Sequence, residues 1–160
     1  MQGLSNKRII IGGTAPEGMG GALAIRLVNA GARVIAGDVS EANLKELAPQ
    51  LSGKAGRATT VVFDLADDES IKRLVERGMD EMGGIDGLAI PAADMSKATM
   101  GNDRTLFDTD VKIWERTLRI NLIGHSQLMR AAIPHMIKGG GGSVVVISSE
   151  ASHMGMDYMP

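Results

Sequence analysis

Gly12-Gly13-Thr14-Ala15-Pro16-Glu17-Gly18-Met19-Gly20 stands directly after the apolar run Ile9-Ile10-Ile11 and opens a stretch in which Met19, Leu23, Leu27 and Ala30 recur at helical spacing. A glycine cluster by itself is equally well a tight turn. Between a buried strand and an amphipathic helix it has a further use. Glycines let the backbone approach a pyrophosphate, whose charge is held by the unpaired N–H groups of the helix N-terminus. Asp38 lies 18 residues beyond Gly20, at the end of a second β-branched run, where a carboxylate can accept hydrogen bonds from an adenosine ribose. The stretch reads as a strand, loop and helix shaped for a dinucleotide.

Outward from it, the same alternation repeats. Apolar runs at 8–11, 33–36, 59–63, 87–90 and 143–147 alternate with helical patterns. One pattern is Leu44, Leu47, Ala48 and Leu51, and the next is Ile71, Leu74, Val75, Met79 and Met82. A longer helix over 111–137 is marked by Trp114, Leu118, Leu122, Met129 and Ile133, with Asn121 on the same face as Trp114 and Leu118. Gly31, Gly83-Gly84 and Gly139-Gly140-Gly141-Gly142 supply the turns. Runs without polar alternation fit strands covered by helices on both faces. The pattern predicts an α/β fold, a Rossmann-type doubly wound parallel sheet of five strands in the order 3-2-1-4-5, with residues 1–160 forming a single dinucleotide-binding domain.

Composition narrows the function. The chain of 160 residues carries 17 Lys+Arg against 19 Asp+Glu, a formal charge of −2, so the basic surplus of a nucleic-acid binder is missing. Without cysteine there is no disulfide framework, thiolate zinc site or cysteine nucleophile. No apolar run approaches the ~20 residues that span a bilayer. The polar start through Lys7-Arg8 has no apolar segment behind it, so a cytoplasmic protein without membrane contact is expected. With only Phe63, Phe107, Trp114 and Tyr158 as aromatics, the 11 methionines are expected to fill core. His125, His135 and His153 lack ligand spacing with a third donor, so no metal is expected. Asp67-Asp68-Glu69 suits a helix N-terminus on charge grounds alone.

On these residues the chain resembles the short-chain dehydrogenase/reductase family over essentially its whole length. The family's Thr-Gly-x-x-x-Gly-x-Gly coenzyme loop is matched by Gly12-Gly13 and Gly18-Met19-Gly20, with Gly12 in place of Thr and the loop one residue longer. Asp64-Leu65 looks like the family's adenine-contacting pair, and Gly84-Ile85-Asp86-Gly87-Leu88 like the entry to its fourth strand. Ile90-Pro91-Ala92-Ala93 stands where the family has Asn-Asn-Ala-Gly, which removes polar side chains near the expected nicotinamide ribose and leaves Ala92 as the matching cofactor contact. Asn121 and Ser149 match two of the family's four catalytic residues, the asparagine that positions a water and the serine that binds the reacting oxygen. Otherwise they read as a buried, backbone-satisfied Asn and an ordinary cap.

The resemblance also implies a tyrosine with a lysine four residues on, the ammonium lowering the phenol pKa. Tyr158 lies nine residues after Ser149, too close for the family spacing, and no lysine comes after it. The resemblance therefore covers the N-terminal part of the family domain, ending before the Tyr-x-x-x-Lys motif. It implies an NAD-dependent oxidoreductase moving hydride between nicotinamide and a small alcohol or carbonyl substrate, and a homo-oligomer. These 160 residues alone are expected to be catalytically incompetent. The alternative is a non-catalytic dinucleotide-binding module acting as a sensor or interaction subunit. NAD is expected over NADP because Asp38 occupies the place of a 2′-phosphate, Glu17 adds a carboxylate and Val39 supplies no arginine.

Overall fold

Ile9, Ile10 and Ile11 alternate between two faces, and both faces of this strand are buried, so it lies at the centre of a sheet. The computed structural model describes residues 3–102 and 104–153. Its strands β1 (Arg8–Gly12), β2 (Arg33–Asp38), β3 (Arg57–Val62), β4 (Gly87–Ile90) and β5 (Ser143–Val146) form one parallel sheet in the order β3-β2-β1-β4-β5. The expected fold class and strand order are both present.

Helices α1 (Met19–Asn29) and α2 (Glu41–Leu51) cover one face, packing Leu27, Val28 and Leu47 on Ile9, Ile11, Val34 and Ala36. On the other face, α3 (Asp68–Met82) and, beyond a further helix α4 (Val111–Leu118), α5 (His125–Lys138) pack Leu74, Leu128 and Met136 on Ile10, Ile35, Leu88 and Ile90. In register, Gly12 of β1 faces Gly37 of β2. A Cβ on Gly12 would lie 2.9 Å from Leu128, and one on Gly37 would lie 2.7 Å from Phe63, so both glycines admit core side chains beneath the loops. Within the described residues, no helix is long and apolar enough to cross a membrane.

Several expectations need correction. Strands buried on both faces hold for β1, β2 and β4 but not for the edges: β3 is only half-buried and Val144, Val145 and Val146 of β5 are exposed. The ladder of β3 ends at Val62, and Phe63 leaves it to enter the core. The single long helix is interrupted, running as α4, a π-helical segment (Arg119–Gly124) and α5. A π turn holds an extra residue and so rotates the next stretch of helix about its axis. The apolar stripe read as core therefore fails at this point: Leu118 and Leu122 are exposed, and Ile120, Leu128, Ala132 and Met136 are buried instead. Methionines likewise divide, Met82 and Met136 filling core while Met19, Met95 and Met100 are exposed. Tyr158 lies outside the described residues.

Candidate functional site

The loop between β1 and α1 closes onto itself through its glycines. Gly13, at φ +104°, donates its N–H to the Gly37 carbonyl at 2.8 Å. A Cβ on Gly20 would fall 1.8 Å from the Gly13 carbonyl oxygen, and one on Gly13 would fall 2.5 Å from the Ala92 Cβ. Gly18 caps α1 without a side-chain hydrogen bond, and no acidic residue occupies the first turn. By contrast α2, α3 and α4 open on Ser40, Asp67 and Asp110, whose side chains accept first-turn amides. The first-turn N–H groups of α1, beginning at Met19, thus have neither an intrahelical acceptor nor a competing carboxylate of their own turn. Met19 itself is 63% exposed at the mouth of this cradle. The residues fit an anionic pyrophosphate.

Asp38 is 6% exposed and engaged by the chain itself. Its Oδ2 accepts the Thr14 N–H at 2.9 Å, and its Oδ1 accepts the Ser40 N–H at 2.9 Å and the Asn43 side-chain amide at 3.1 Å. A carboxylate has about four acceptor positions, so roughly one remains for a ribose hydroxyl. Sequence reasoning located the acid but missed Thr14, a buried residue whose hydroxyl also donates to the Gly37 carbonyl. Asp64 is half-buried, its N–H donating to Ser70 Oγ at 3.0 Å and its Oδ1 accepting the Ala66 N–H at 2.7 Å. The Leu65 side chain is buried in the core.

Beyond β4, the chain is gripped from the interrupted helix. Asn121 Oδ1 accepts the Asp94 N–H at 2.8 Å, Arg116 Nε donates to Asp94 Oδ2 at 2.6 Å, and His125 Nε2 lies 2.9 Å from the Ala92 carbonyl oxygen. Thr99 Oγ1 and the Ser96 N–H also donate to the Asp94 carboxylate. Burial alone would raise the Asp94 pKa, but the hydrogen bonds from Thr99, Ser96 and Arg116 outweigh it and hold the carboxyl at about 2. Burial lowers the His125 pKa against the opposing bond to Ala92. Asp94, Arg116 and His125 do not stand out as site residues in the sequence, because their partners lie 22 to 33 positions away.

Ser149 is exposed just beyond β5. Its Oγ accepts the Ala151 N–H at 3.2 Å, so it caps the short 3₁₀ turn Glu150–His153. Ser149 and Asn121 thus bond to different segments, one to the turn after β5 and the other to the turn after β4. Two clefts of about 570 and 460 Å³ both open at the amino ends of the strands, one around Arg33 and Arg57 and the other around Lys7 and Gly87. Ligands of open α/β sheets bind instead beyond the carboxyl ends, where the strand order reverses. Here that point lies between β1 and β4, at Gly13 and Ala92. Among the described residues, no group of three or more His, Asp or Glu side chains is arranged to hold a metal.

Residues 7–160 match the family model of the short chain dehydrogenases. The chain is 32% identical over 146 residues to the 3-oxoacyl-(acyl-carrier-protein) reductase FabG of Thermotoga maritima, covering 91% of this chain and 56% of that protein. It is 30% identical over 154 residues to the D-threitol dehydrogenase of Mycolicibacterium smegmatis, covering 96% and 56%. Carveol dehydrogenase from Mycobacterium avium, solved in complex with NAD, superposes with a TM-score of 0.84 at 26% identity, covering 96% of this chain and 58% of that one. The chain thus spans about half the length of the curated relatives it matches. With the glycine cradle, the acid at the end of β2 and the strand order in place, the chain belongs to the short-chain dehydrogenase family.

Proposed function

We propose that this chain is the coenzyme-binding part of an NAD-dependent short-chain oxidoreductase that interconverts an alcohol and a carbonyl. The observation carrying this reading is the cradle in which Gly13 and Gly20 meet under the uncapped N-terminus of α1, beside Asp38. NAD, when bound, supplies the hydride acceptor. The chain's own part is to hold the pyrophosphate on the α1 amides through Gly18, Met19 and Gly20, and to offer Asp38 to the adenosine ribose. Asp64 and the Leu65 backbone border the adenine, and Ala92 borders the other half of the dinucleotide. Asn121 and Ser149 carry the orienting roles of the family's asparagine and serine, the hydroxyl toward the reacting oxygen. The bound form of the family's carveol dehydrogenase supports the choice of cofactor.

The bonds that hold Asp38 come from neutral amides, so no cation among them could receive a 2′-phosphate, and Val39 beside it is exposed and uncharged. Two like charges 4 Å apart at an effective dielectric of about 20 repel by about 4 kcal/mol. Half of that is more than tenfold in affinity. NADH is therefore expected to bind at least tenfold more tightly than NADPH when both are titrated by fluorescence. Equal or tighter binding of NADPH would remove the assignment to NAD.

The 160 residues hold one tyrosine, Tyr158, and no lysine after Lys138. They are expected to bind cofactor without turning it over, since general acid/base catalysis contributes about 10²- to 10⁴-fold. A hydride-transfer assay over a panel of alcohols, run beside Ser149→Ala and Tyr158→Phe, checks this. Robust turnover abolished by Tyr158→Phe would make Tyr158 the proton donor.

A further inference from the structure

We propose that His125 is a positioning residue for the nicotinamide half of the cleft, holding the turn after β4 in place through the Ala92 carbonyl. The inference rests on the assignment of a dinucleotide to the glycine cradle. His125 is buried at the start of α5, with Nε2 2.9 Å from that oxygen. A carbonyl only accepts, so Nε2 carries the hydrogen and the neutral ring is the Nε2–H tautomer. The depression of its pKa by burial favours the same neutral form.

The turn that His125 holds has few means of holding itself. Pro91 has no N–H, and Ala92 and Ala93 have no polar side chains. The Ala92 backbone is tied at both of its polar groups: its N–H donates to the Gly12 carbonyl at 3.2 Å, and its carbonyl accepts from His125. The Ala92 Cβ lies 2.5 Å from where a Cβ on Gly13 would stand and the Pro91 ring 3.0 Å from where one on Gly20 would, so the turn abuts the cradle. The adenosine half, over β2 at Asp38, lies on the other side of β1 from this turn. Losing the His125 bond is therefore expected to disturb one half of the dinucleotide and spare the other.

Calorimetric titration of the wild-type chain, His125→Leu and His125→Gln with NADH and with AMP tests this. His125→Leu is expected to weaken NADH about tenfold and leave AMP within about twofold, while the Gln amide N–H restores most of the NADH affinity. Undiminished NADH binding by His125→Leu, equal losses for NADH and AMP, or a Gln variant no better than Leu would each overturn the proposal. A second measurement needs no variant. The His125 Nε2–H resonance of the wild-type chain is expected to shift on adding NADH but not AMP, and an unmoved resonance counts against the role. If the wild-type chain binds neither ligand, the assignment of the dinucleotide itself falls. Binding of both with no involvement of His125 removes only the positioning role.

Discussion

Glycines 13, 20 and 140 are the same residue under different constraints. At Gly20 a methyl group would meet the Gly13 carbonyl at 1.8 Å, and at Gly13 it would meet Ala92 while also straining a φ of +104°. Gly140 has a φ of +96° but nothing within 4 Å of its Cβ position. Gly20→Ala is expected to cost about 1–3 kcal/mol by overpacking and to abolish NADH binding, because the backbone that must move is the cradle itself. Gly140→Ala is expected to cost about 1–2 kcal/mol through left-handed strain alone and to leave binding unchanged. Urea unfolding and NADH titration of both variants separate steric closure from backbone strain. Similar loss of binding in the two would show that the cradle is not specifically responsible.

The interrupted helix couples the core to the turn after β4. Its π segment contains Asn121, with Arg116 about one turn before it and His125 just after it, and all three side chains reach the same turn. Asp94 is the node, its side chain 4% exposed beside an Arg116 that is 46% exposed. Removing one partner of a fully buried pair costs about 3–5 kcal/mol, and the exposure of Arg116 reduces this to about 2 kcal/mol for Asp94→Asn. The sign comes from a folded pKa of about 2. The carboxylate stabilises the fold above the unfolded carboxyl pKa of about 3.9, and that contribution disappears as the pH falls toward 2. The stability gap between the wild-type chain and Asp94→Asn is thus expected to be full at pH 7 and to close between about pH 4 and 2. A gap independent of pH would mean that Asp94 acts by shape and not by charge.

Across the whole molecule the two edges of the sheet differ from its centre. β5 pairs with β4 along one side, and Val144, Val145, Val146 and Ile147 expose apolar surface on both faces. An exposed, apolar edge is a template for further strand pairing. Leu118, Leu122 and Ile123, on the interrupted helix, add further exposed apolar surface. Self-association is therefore expected, and light scattering at high micromolar concentration checks it. A strictly monomeric species would contradict it. Val145→Lys on the exposed edge is expected to shift the distribution toward monomer, since a charge there opposes pairing.

The sequence by itself determined the order of the elements, the parallel sheet and the place of the glycine loop, because these arise from local signals: apolar runs, helical spacing, and glycines between them. It also located Asp38 and Asn121, whose positions are fixed by the end of β2 and by the helix that carries Asn121. Only the tertiary structure decided what these groups touch. Asp38 meets Thr14 from another strand's loop, Asp94 meets Arg116 across 22 positions, and His125 meets Ala92 across 33. No periodicity encodes such pairs. The π segment is likewise absent from the apolar spacing, and at its last residue, Gly124, the Leu65 carbonyl oxygen lies 2.4 Å from where a Cβ would stand. That close approach joins two segments far apart in the chain, which no local pattern records.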